Sequence, residues 1–331
     1  MSATRGRALR LNAFGSPEES VGLVRTKPTP LAAGQVSVAM EAAPINPSDL
    51  LLIAGRYGHQ PRLPHTLGTE GVGRIADVGP GVDPDRVGDR VMILPTLEHG
   101  TWQDRVIVDE QGTVPVDGTG DPQQLSMLGI NPVTAHLLLT RFVSLPPSAW
   151  IGQTAANSAV GRYVVALARR AGVRTLNVVR RPEAASPLIA AGADAVVVAG
   201  ADLGAQIDSV LGTRRLALVL DAVGGETGLV SRLEDGGTVV SYAALSRSPA
   251  VISPADLIFR DIHLRGFWQK AWVQTAPRAE VLAAYADLVP LVASGHLHAP
   301  VEASYPIDRY EDALTHAARS ARDGKVIFVW P

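Results

Sequence analysis

Short alternating runs of apolar and polar residues fill about the first 120 positions of the chain and predict β-strands. Dense glycine and proline punctuation separates these runs, and a single short helical pattern lies near residues 47–54. The N-terminal region is therefore predicted to be rich in β-structure. The runs on which this depends are residues 35–42, 71–79, 89–95 and 104–110.

Strand and helix patterns alternate from Asp121 onward. Predicted strands lie at 149–155, 174–180, 193–199, 216–223, 237–243 and 263–268, with helices at 160–171, 183–192, 203–211 and 277–294. Apolar runs spaced by amphipathic helices indicate a parallel sheet that is covered on both faces. Strand signals return after Pro300 and end in the run 325–330.

These patterns predict an α/β protein in which a doubly wound domain interrupts a β-rich domain. The predicted boundaries are 1–122 and 292–331 for the β-rich domain and 123–291 for the doubly wound domain. A length of 331 residues accommodates two domains.

The net charge and the N-terminal segment bear on the partners and the cellular location expected for the protein. A net charge of −2 argues against nucleic acid and anionic membranes as partners. Residues 1–15 are basic without an apolar core, which predicts no secretory signal, and no run reaches the ~18 apolar residues of a membrane span. We therefore expect a cytoplasmic protein with no membrane partner.

The chain contains no cysteine. This excludes disulfides, iron–sulfur clusters and thiolate zinc sites. His59 and His65 with one carboxylate would suffice for a metal in principle, but their spacing matches no ligand pattern, and ordinary surface histidines are commoner. We expect no bound metal.

A nucleotide-binding turn is predicted between the first strand and helix of the α/β region, in TAANSAVGR at 154–162. A dinucleotide pyrophosphate requires a tight turn, close backbone approach and a helix N-terminus. Only Gly161 stands in the G-x-G-x-x-G frame, because Ala156 and Ser158 occupy the earlier glycine positions. A strand–helix turn made of small residues, with no ligand, is the alternative.

Two arginines follow the second strand of this region. Readers of NAD place an acid there for the ribose 2′-hydroxyl, whereas this chain has Arg180 and Arg181 and no acid before Glu183. Guanidinium groups suit a 2′-phosphate in charge and geometry. The pair predicts NADPH as the cofactor, with a solvated arginine pair at a strand end as the alternative.

Several of these segments together resemble the medium-chain dehydrogenases/reductases of the zinc-free branch. The closest resemblance is to the mitochondrial-type trans-2-enoyl thioester reductases, with quinone oxidoreductases as near relatives. Asn46 stands near the position of the first zinc-ligand cysteine, and Thr69 precedes Glu70 where a ligand histidine would stand. The matching segments are INPSDLLLIAGRYG, LGTEGVG, GTWQDRV, LGINPVTAH, NSAVG, NVVRR, DAVGG, GGTVVSY and LIFRDIHLRGFWQKAW.

The resemblance implies a GroES-like β-rich domain plus a Rossmann domain, and NADPH-dependent reduction of the C=C bond of 2-enoyl thioesters. It proposes that Tyr57 donates or relays the proton, with Asn46 holding Tyr57 or the substrate. A phenol of pKa about 10 acts as an acid at neutral pH only when it is hydrogen-bonded and positioned. Otherwise Tyr57 is a loop aromatic that packs on the domain.

The resemblance also implies a set of cofactor-binding residues. It places two residues near the nicotinamide, five on the pyrophosphate and two on the 2′-phosphate, and the rest as a wall around the nicotinamide. They are Asn131 and Thr134; Asn157, Ser158, Ala159, Val160 and Gly161; Arg180 and Arg181; and Tyr242, Ala243, Ala244, Leu245, Phe267, Trp268, Gln269 and Lys325.

Plainer interpretations stand beside these assignments. Asn131 and Pro132 also suit a turn before a helix, Phe267 and Trp268 suit a core or a dimer surface, and Lys325 suits an ordinary surface position. The chain also departs from the family at Ala159, where members usually carry glycine, and at 243–244, where two alanines replace two glycines. A methyl group at 159 restricts backbone approach to a phosphate.

Three functions remain open at this point. The first is an NADPH-dependent reductase of enoyl thioesters, carried on coenzyme A or acyl-carrier protein. The second is a quinone or α,β-unsaturated carbonyl reductase, and the third is a nucleotide-binding protein without efficient catalysis. The resemblance also implies a homodimer formed through the edge of the α/β sheet.

Overall fold

The computed structural model describes residues 6–116, 118–320 and 322–331. Residues 1–5 of the basic N-terminal segment lie outside the described residues, as do residues 117 and 321.

The strands follow the alternating runs, with bounds one to four residues from those predicted at most positions. They are β1 Gly6–Leu11, β2 Val21–Thr26, β3 Gln35–Ile45, β4 His65–Thr66, β5 Gly71–Val78, β6 Arg90–Ile93, β7 Arg105–Asp109, β8 Thr113–Pro115, β9 Trp150–Gln153, β10 Arg174–Val179, β11 Ala195–Val198, β12 Leu216–Asp221, β13 Leu233–Ser241, β14 His263–Gly266, β15 Val301–Tyr305 and β16 Lys325–Val329.

The helices range in length from four to sixteen residues. They are α1 Pro17–Ser20, α2 Pro47–Ile53, α3 Pro122–Ser126, α4 Asn131–Thr140, α5 Ala159–Arg170, α6 Ala185–Ala190, α7 Leu203–Leu211, α8 Pro254–Phe259, α9 Gln269–Thr275, α10 Arg278–Ala293 and α11 Tyr310–Ala318. Single 3-10 turns occur at Pro84–Arg86, Glu110–Gly112, Pro182–Ala184, Val230–Arg232 and Ile307–Arg309.

The chain divides into two compact units. The first unit comprises residues 1–130 and 270–331, and the second comprises residues 131–269. The divisions differ from the predicted boundaries because α10 packs within the first unit. Arg278 donates to the Thr113 carbonyl at 2.7 Å, and the Tyr285 hydroxyl donates to the Gly129 carbonyl at 2.8 Å.

The first unit is built on a seven-stranded sheet in the order β15-β16-β3-β5-β6-β8, with β7 also paired to β3. Strand β16 lies antiparallel to β3, with Val326 opposite Ile45, so the C-terminal run returns to the β-rich region. Beneath it, the buried Trp102 packs edge-to-face on Phe328 with ring centres 5.2 Å apart. A three-stranded sheet, β2-β1-β4, completes the unit.

The second unit is a six-stranded parallel sheet in the order β11-β10-β9-β12-β13-β14. The order reverses between β9 and β12, which is the arrangement of a doubly wound dinucleotide-binding fold. Ligands of such sheets bind beyond the carboxyl ends of the strands at this reversal. The loops after β9, β10 and β12 are therefore the candidate nucleotide edge.

Among the described residues, the structure contains no helix that combines the length and the apolar character needed to cross a membrane.

Candidate active site

The first unit positions Asn46 and Tyr57 through helix α2. Asn46 is the N-cap of the helix, and its backbone N–H donates to Asp49 Oδ2 at 2.7 Å, half of a capping box. The helix ends at Ile53, and Gly55, two residues further on, has a φ of +68° that reverses the chain. Tyr57 follows directly, is half-buried and packs against the hydrophobic core of this unit.

A buried polar cluster surrounds Asn46. Asn46 Nδ2 donates to Glu70 Oε1 at 2.8 Å, and Lys325 Nζ donates to Asn46 Oδ1. The second Glu70 oxygen accepts from the Ile130 backbone N–H at 2.7 Å. Asn46, Asp49, Glu70 and Lys325 are all at least nine-tenths buried. We call these four side chains the buried charge cluster.

Burial shifts the acid–base properties of this cluster. It raises the pKa of Glu70, opposed by the Lys325 ammonium and the Asn46 amide, and it raises the pKa of Asp49 to about 6. Burial lowers the pKa of Lys325, opposed by Glu70 and Asp49. Asp49 therefore holds a proton over a pH range in which exposed carboxyls have lost theirs.

Two histidines and a lysine lie in the same unit as Tyr57. Lys270 Nζ is 3.3 Å from His59 Nδ1. Partial burial, reinforced by Lys270, lowers the pKa of His59, and burial, reinforced by His59, lowers that of His65. No group of three or more His, Asp or Glu side chains is placed to hold a metal ion within the described residues.

In the second unit, the predicted nucleotide turn lies between β9 and α5. A side chain at Gly161 would place its Cβ 2.7 Å from the Ala156 carbonyl carbon, so only glycine allows the helix to pack this closely on the turn. This is the role that the third glycine of the G-x-G-x-x-G frame performs. Asn157, Ser158, Ala159 and Val160 are half-buried around it.

Ser158 caps helix α5. Its hydroxyl accepts from the Gly161 backbone N–H at 3.1 Å. One of the helix N-terminal donors that a phosphate would use is therefore occupied by the protein itself. The N–H groups of the residues between them remain at the helix start, where the helix dipole favours negative charge.

Asp221 ties the loops after β9 and β12 together. Its Oδ1 accepts from Thr154 Oγ1 at 2.8 Å and from the Val223 N–H at 2.9 Å, and Thr154 in turn accepts from the Ala222 N–H at 2.8 Å. Asp221 is buried, so these donors replace the water that the carboxylate loses. This network fixes the backbone at the strand-order reversal.

The two predicted 2′-phosphate ligands differ in their surroundings. Arg181 is half-buried and pairs with Glu183 at 3.5 Å, whereas Arg180 is exposed and forms no ion pair with any described residue. Both follow the carboxyl end of β10. Arg180 is thus the guanidinium that is available to an anion.

The residues predicted to wall the nicotinamide in the second unit lie after β13 and β14. Tyr242 and Ala243 are half-buried, whereas Ala244 and Leu245 are exposed. Burial, reinforced by Asp221, raises the pKa of Tyr242, which keeps its phenol protonated. Its backbone N–H donates to the Asp221 carbonyl at 3.0 Å.

The surroundings of the remaining predicted cofactor residues are compatible both with a cofactor site and with the plainer structural roles considered from the sequence. Phe267 packs edge-to-face on Phe142 at 6.0 Å, Trp268 is exposed and Gln269 is buried. Asn131 begins helix α4 and Thr134 lies in its first turn, and both are buried.

The structure thus brings Asn46 together with Lys325, and Ser158 with Gly161. Lys325 lies in the buried charge cluster and not at a surface. Sequence reasoning gave no role to Glu70, Asp49, Asp221 or Thr154. The Asn-x-x-Asp spacing at 46–49 is a capping-box signal, and an acid among small residues at 69–73 signals a buried carboxylate. Asp221 and Thr154 carried no such signal.

Comparison with known proteins agrees with this architecture of a β-rich unit and a dinucleotide-binding unit. The alcohol dehydrogenase GroES-like domain matches residues 32–118, and the zinc-binding dehydrogenase domain matches residues 159–285. The rat mitochondrial enoyl-acyl-carrier-protein reductase is 35% identical over 93% of this chain and 84% of its own. The Arabidopsis thaliana enzyme of the same name is 34% identical over 94% of this chain and 84% of its own.

Solved structures show the same fold. A putative NADPH:quinone reductase from Bacillus thuringiensis superposes with a TM-score of 0.91 at 25% identity, covering 99% of this chain and 100% of the other. The Etr1p/NADP/crotonyl-CoA complex superposes with a TM-score of 0.85 at 23% identity and the same coverage.

Fold and site define an oxidoreductase with a GroES-like unit and a Rossmann unit. The chain belongs to the medium-chain dehydrogenase/reductase family, in the group of the mitochondrial enoyl-acyl-carrier-protein reductases. The predicted resemblance and fold class are confirmed. The predicted cytoplasmic location is wrong, because the curated relatives are named as mitochondrial proteins.

Proposed function

We propose that the protein reduces the C=C bond of 2-enoyl thioesters with NADPH. The observation that carries this proposal is the 35% identity to enoyl-acyl-carrier-protein reductases along 93% of the chain. The NADP and crotonyl-CoA bound in a structure of the same fold support the cofactor and the substrate class.

The chemistry requires one hydride and one proton. NADPH, when bound, supplies the hydride to the β-carbon of the enoyl thioester, and the electron pair of the C=C bond moves to the thioester carbonyl as an enolate. The α-carbon then takes a proton, for which Tyr57 is the proposed donor or relay. Its position in a turn after α2, against the core, supports this role because the Arg56 N–H donates to the Leu51 carbonyl at 2.8 Å and fixes the backbone immediately before Tyr57.

Two residues of the second unit support NADPH as the cofactor. Gly161 permits close packing at the start of α5, and the exposed Arg180, which forms no ion pair with any described residue, suits a 2′-phosphate. In the first unit, Asn46 stands near the position of the first zinc-ligand cysteine of zinc-dependent relatives and accepts a hydrogen bond from Lys325, which supports zinc-independent catalysis.

Quinone or α,β-unsaturated carbonyl reduction is the second candidate. The TM-score of 0.91 to a putative NADPH:quinone reductase favours it, although the higher sequence identity lies with the enoyl reductases.

Steady-state oxidation of NADPH separates the candidates. We expect crotonyl-CoA to be reduced with a higher kcat/KM than any quinone. Activity on quinones alone would replace the first proposal with the second. NADPH binding without turnover of either substrate would identify a non-catalytic nucleotide-binding protein.

We also propose that the protein forms a homodimer through β14. All four residues of this edge strand are exposed, and Phe259 before it is 81% exposed among other exposed apolar side chains. An open parallel edge beside apolar surface is typical of a strand that pairs with a second copy. Light scattering should give twice the chain mass for the wild type and the monomer mass for Phe259→Asp. A monomeric wild type would contradict the proposal.

We propose acyl-carrier protein as a second partner. Reduction of a crotonyl group carried on that protein tests this proposal.

A further inference from the structure

The orientation of the Asn46 amide is set by two opposite charges. Its Nδ2 donates to Glu70 and its Oδ1 accepts from Lys325. A carboxylate only accepts hydrogen bonds and an ammonium only donates them. Rotating the amide by half a turn would place NH₂ against the ammonium and oxygen against the carboxylate. Only one orientation is therefore allowed while both charges are present.

Glu70 is itself held rigidly. Its backbone carbonyl accepts from Thr101 Oγ1 at 2.7 Å, and its Oε2 accepts from the Ile130 N–H at 2.7 Å. A side chain at Gly129 would place its Cβ 3.1 Å from Glu70 Oε2, so the glycine leaves room for the carboxylate. Strand β5, helix α2 and the segment at 129–130 thus meet at one side chain.

We infer that Glu70 is a positioning residue for the reductase site, and that it acts by holding the Asn46 amide in the one orientation in which its oxygen accepts from the Lys325 ammonium. This inference rests on the proposed function. Asn46 stands near the position at which zinc-dependent relatives carry a metal ligand, and here it is bound by an ammonium from β16. The cation fixes the N-cap of α2, the helix that leads to Tyr57.

The charges around Lys325 support this arrangement. Glu70 and Asp49 both favour the protonated ammonium, whereas Arg322 and burial oppose it. Neutralising Glu70 therefore lowers the pKa of Lys325 further and weakens the bond to Asn46. A Gln at position 70 would also face two donors, Asn46 Nδ2 and the Ile130 N–H, with one oxygen instead of two.

The first test is the kinetics of Glu70→Gln on crotonyl-CoA. We expect kcat to fall by roughly tenfold or more, the KM for NADPH to stay within about twofold, and the basic limb of the kcat profile to move to lower pH. Glu41→Gln is the matched control, because Glu41 pairs with Arg74 and Arg90 in the same sheet. It should leave kcat and the pH profile unchanged. A Glu70→Gln enzyme with wild-type kcat and pH profile would overturn the inference.

The second test needs no activity, so it separates failure of this inference from failure of the proposed function. Thermal unfolding is compared for Glu70→Gln, Lys325→Met and the double variant. Glu70 and Lys325 bind opposite ends of the buried Asn46 amide, so removing one of these two charges leaves the other uncompensated, and we expect the double variant to melt above Lys325→Met. Additive losses would overturn the inference. If Lys325→Met is insoluble, recovery of soluble protein in the double variant supports it, and continued insolubility contradicts it.

Discussion

The two units handle buried and exposed charge in opposite ways. The first unit encloses Glu70 and Asp49 together with Lys325, so its cation already has partners. The second unit satisfies its buried carboxylate, Asp221, with backbone N–H groups and Thr154, and leaves Arg180 exposed without an ion pair in the described part of the chain.

This difference separates a charged side chain with a structural role from one that is accessible to a ligand. A buried ammonium with internal partners positions the side chains next to it. An exposed guanidinium at the carboxyl end of a parallel strand keeps its donors for a phosphate. Lys325 and Arg180, both predicted as cofactor ligands, thus have different surroundings.

The largest effect is expected from Asp49→Asn, which tests the enclosed charges. The folded-state pKa of Asp49 is raised to about 6, so the folded protein holds a proton that the unfolded chain loses near pH 4. Stability from this group is therefore present below pH 4 and lost as the pH rises to about 6, by on the order of 3 kcal/mol. The variant has no such loss, so its free energy of unfolding relative to wild type should rise from pH 4 to pH 7.

Urea denaturation at the two pH values measures this difference. Asp287→Asn, an exposed position on α10, is the control and should show no pH-dependent difference from wild type. A pH-independent difference for Asp49→Asn would mean that the enclosed carboxyl does not hold its proton.

The next effect is expected from Arg180→Ala in the second unit. Loss of a charge-assisted bond to phosphate costs about 1.5–3 kcal/mol, so the Kd for NADPH should rise by roughly tenfold or more, with the Kd for NADH unchanged. Fluorescence titration measures both constants. Arg170→Ala, at the exposed end of α5, is the matched control. Equal weakening of both cofactors would show that Arg180 does not bind the 2′-phosphate.

The smallest effect is expected from Gly161→Ala, which tests the backbone of the nucleotide turn. The added methyl meets Ala156 backbone atoms, and overpacking of this kind costs about 1–3 kcal/mol. Gly204→Ala in α7 is the control, since its nearest neighbour would be Arg232 Nη2 at 3.8 Å. Calorimetry should show a lower Tm for the first variant and an unchanged or higher Tm for the second. Similar Tm changes would remove the packing explanation for Gly161.

The elements of the second unit were predicted closely because strands and helices alternate regularly along this part of the sequence. Helix α7 has the predicted bounds, and the turn around Gly161 lies where the motif placed it. Patterning could not show that α10 packs against Thr113 and Gly129, because apolar periodicity identifies a buried face but not its neighbour.

The buried charge cluster was harder to predict for the same reason. Lys325 begins a strand that is separated from Asn46 by 279 positions, and their pairing depends on the register of β16 on β3. Local patterns carry no information on that register. The capping relation of Asn46 to Asp49 is local and was within reach of sequence reasoning.

The central claim is hydride transfer from NADPH to the β-carbon of an enoyl thioester. The most direct measurement is the position of deuterium in the product after incubation of the enzyme with crotonyl-CoA and NADPH deuterated at its transferable position, in ordinary water. The account predicts butyryl-CoA with one deuterium on the β-carbon and a solvent proton on the α-carbon. Deuterium on the α-carbon, or no butyryl-CoA from an enzyme that binds NADPH, would contradict it.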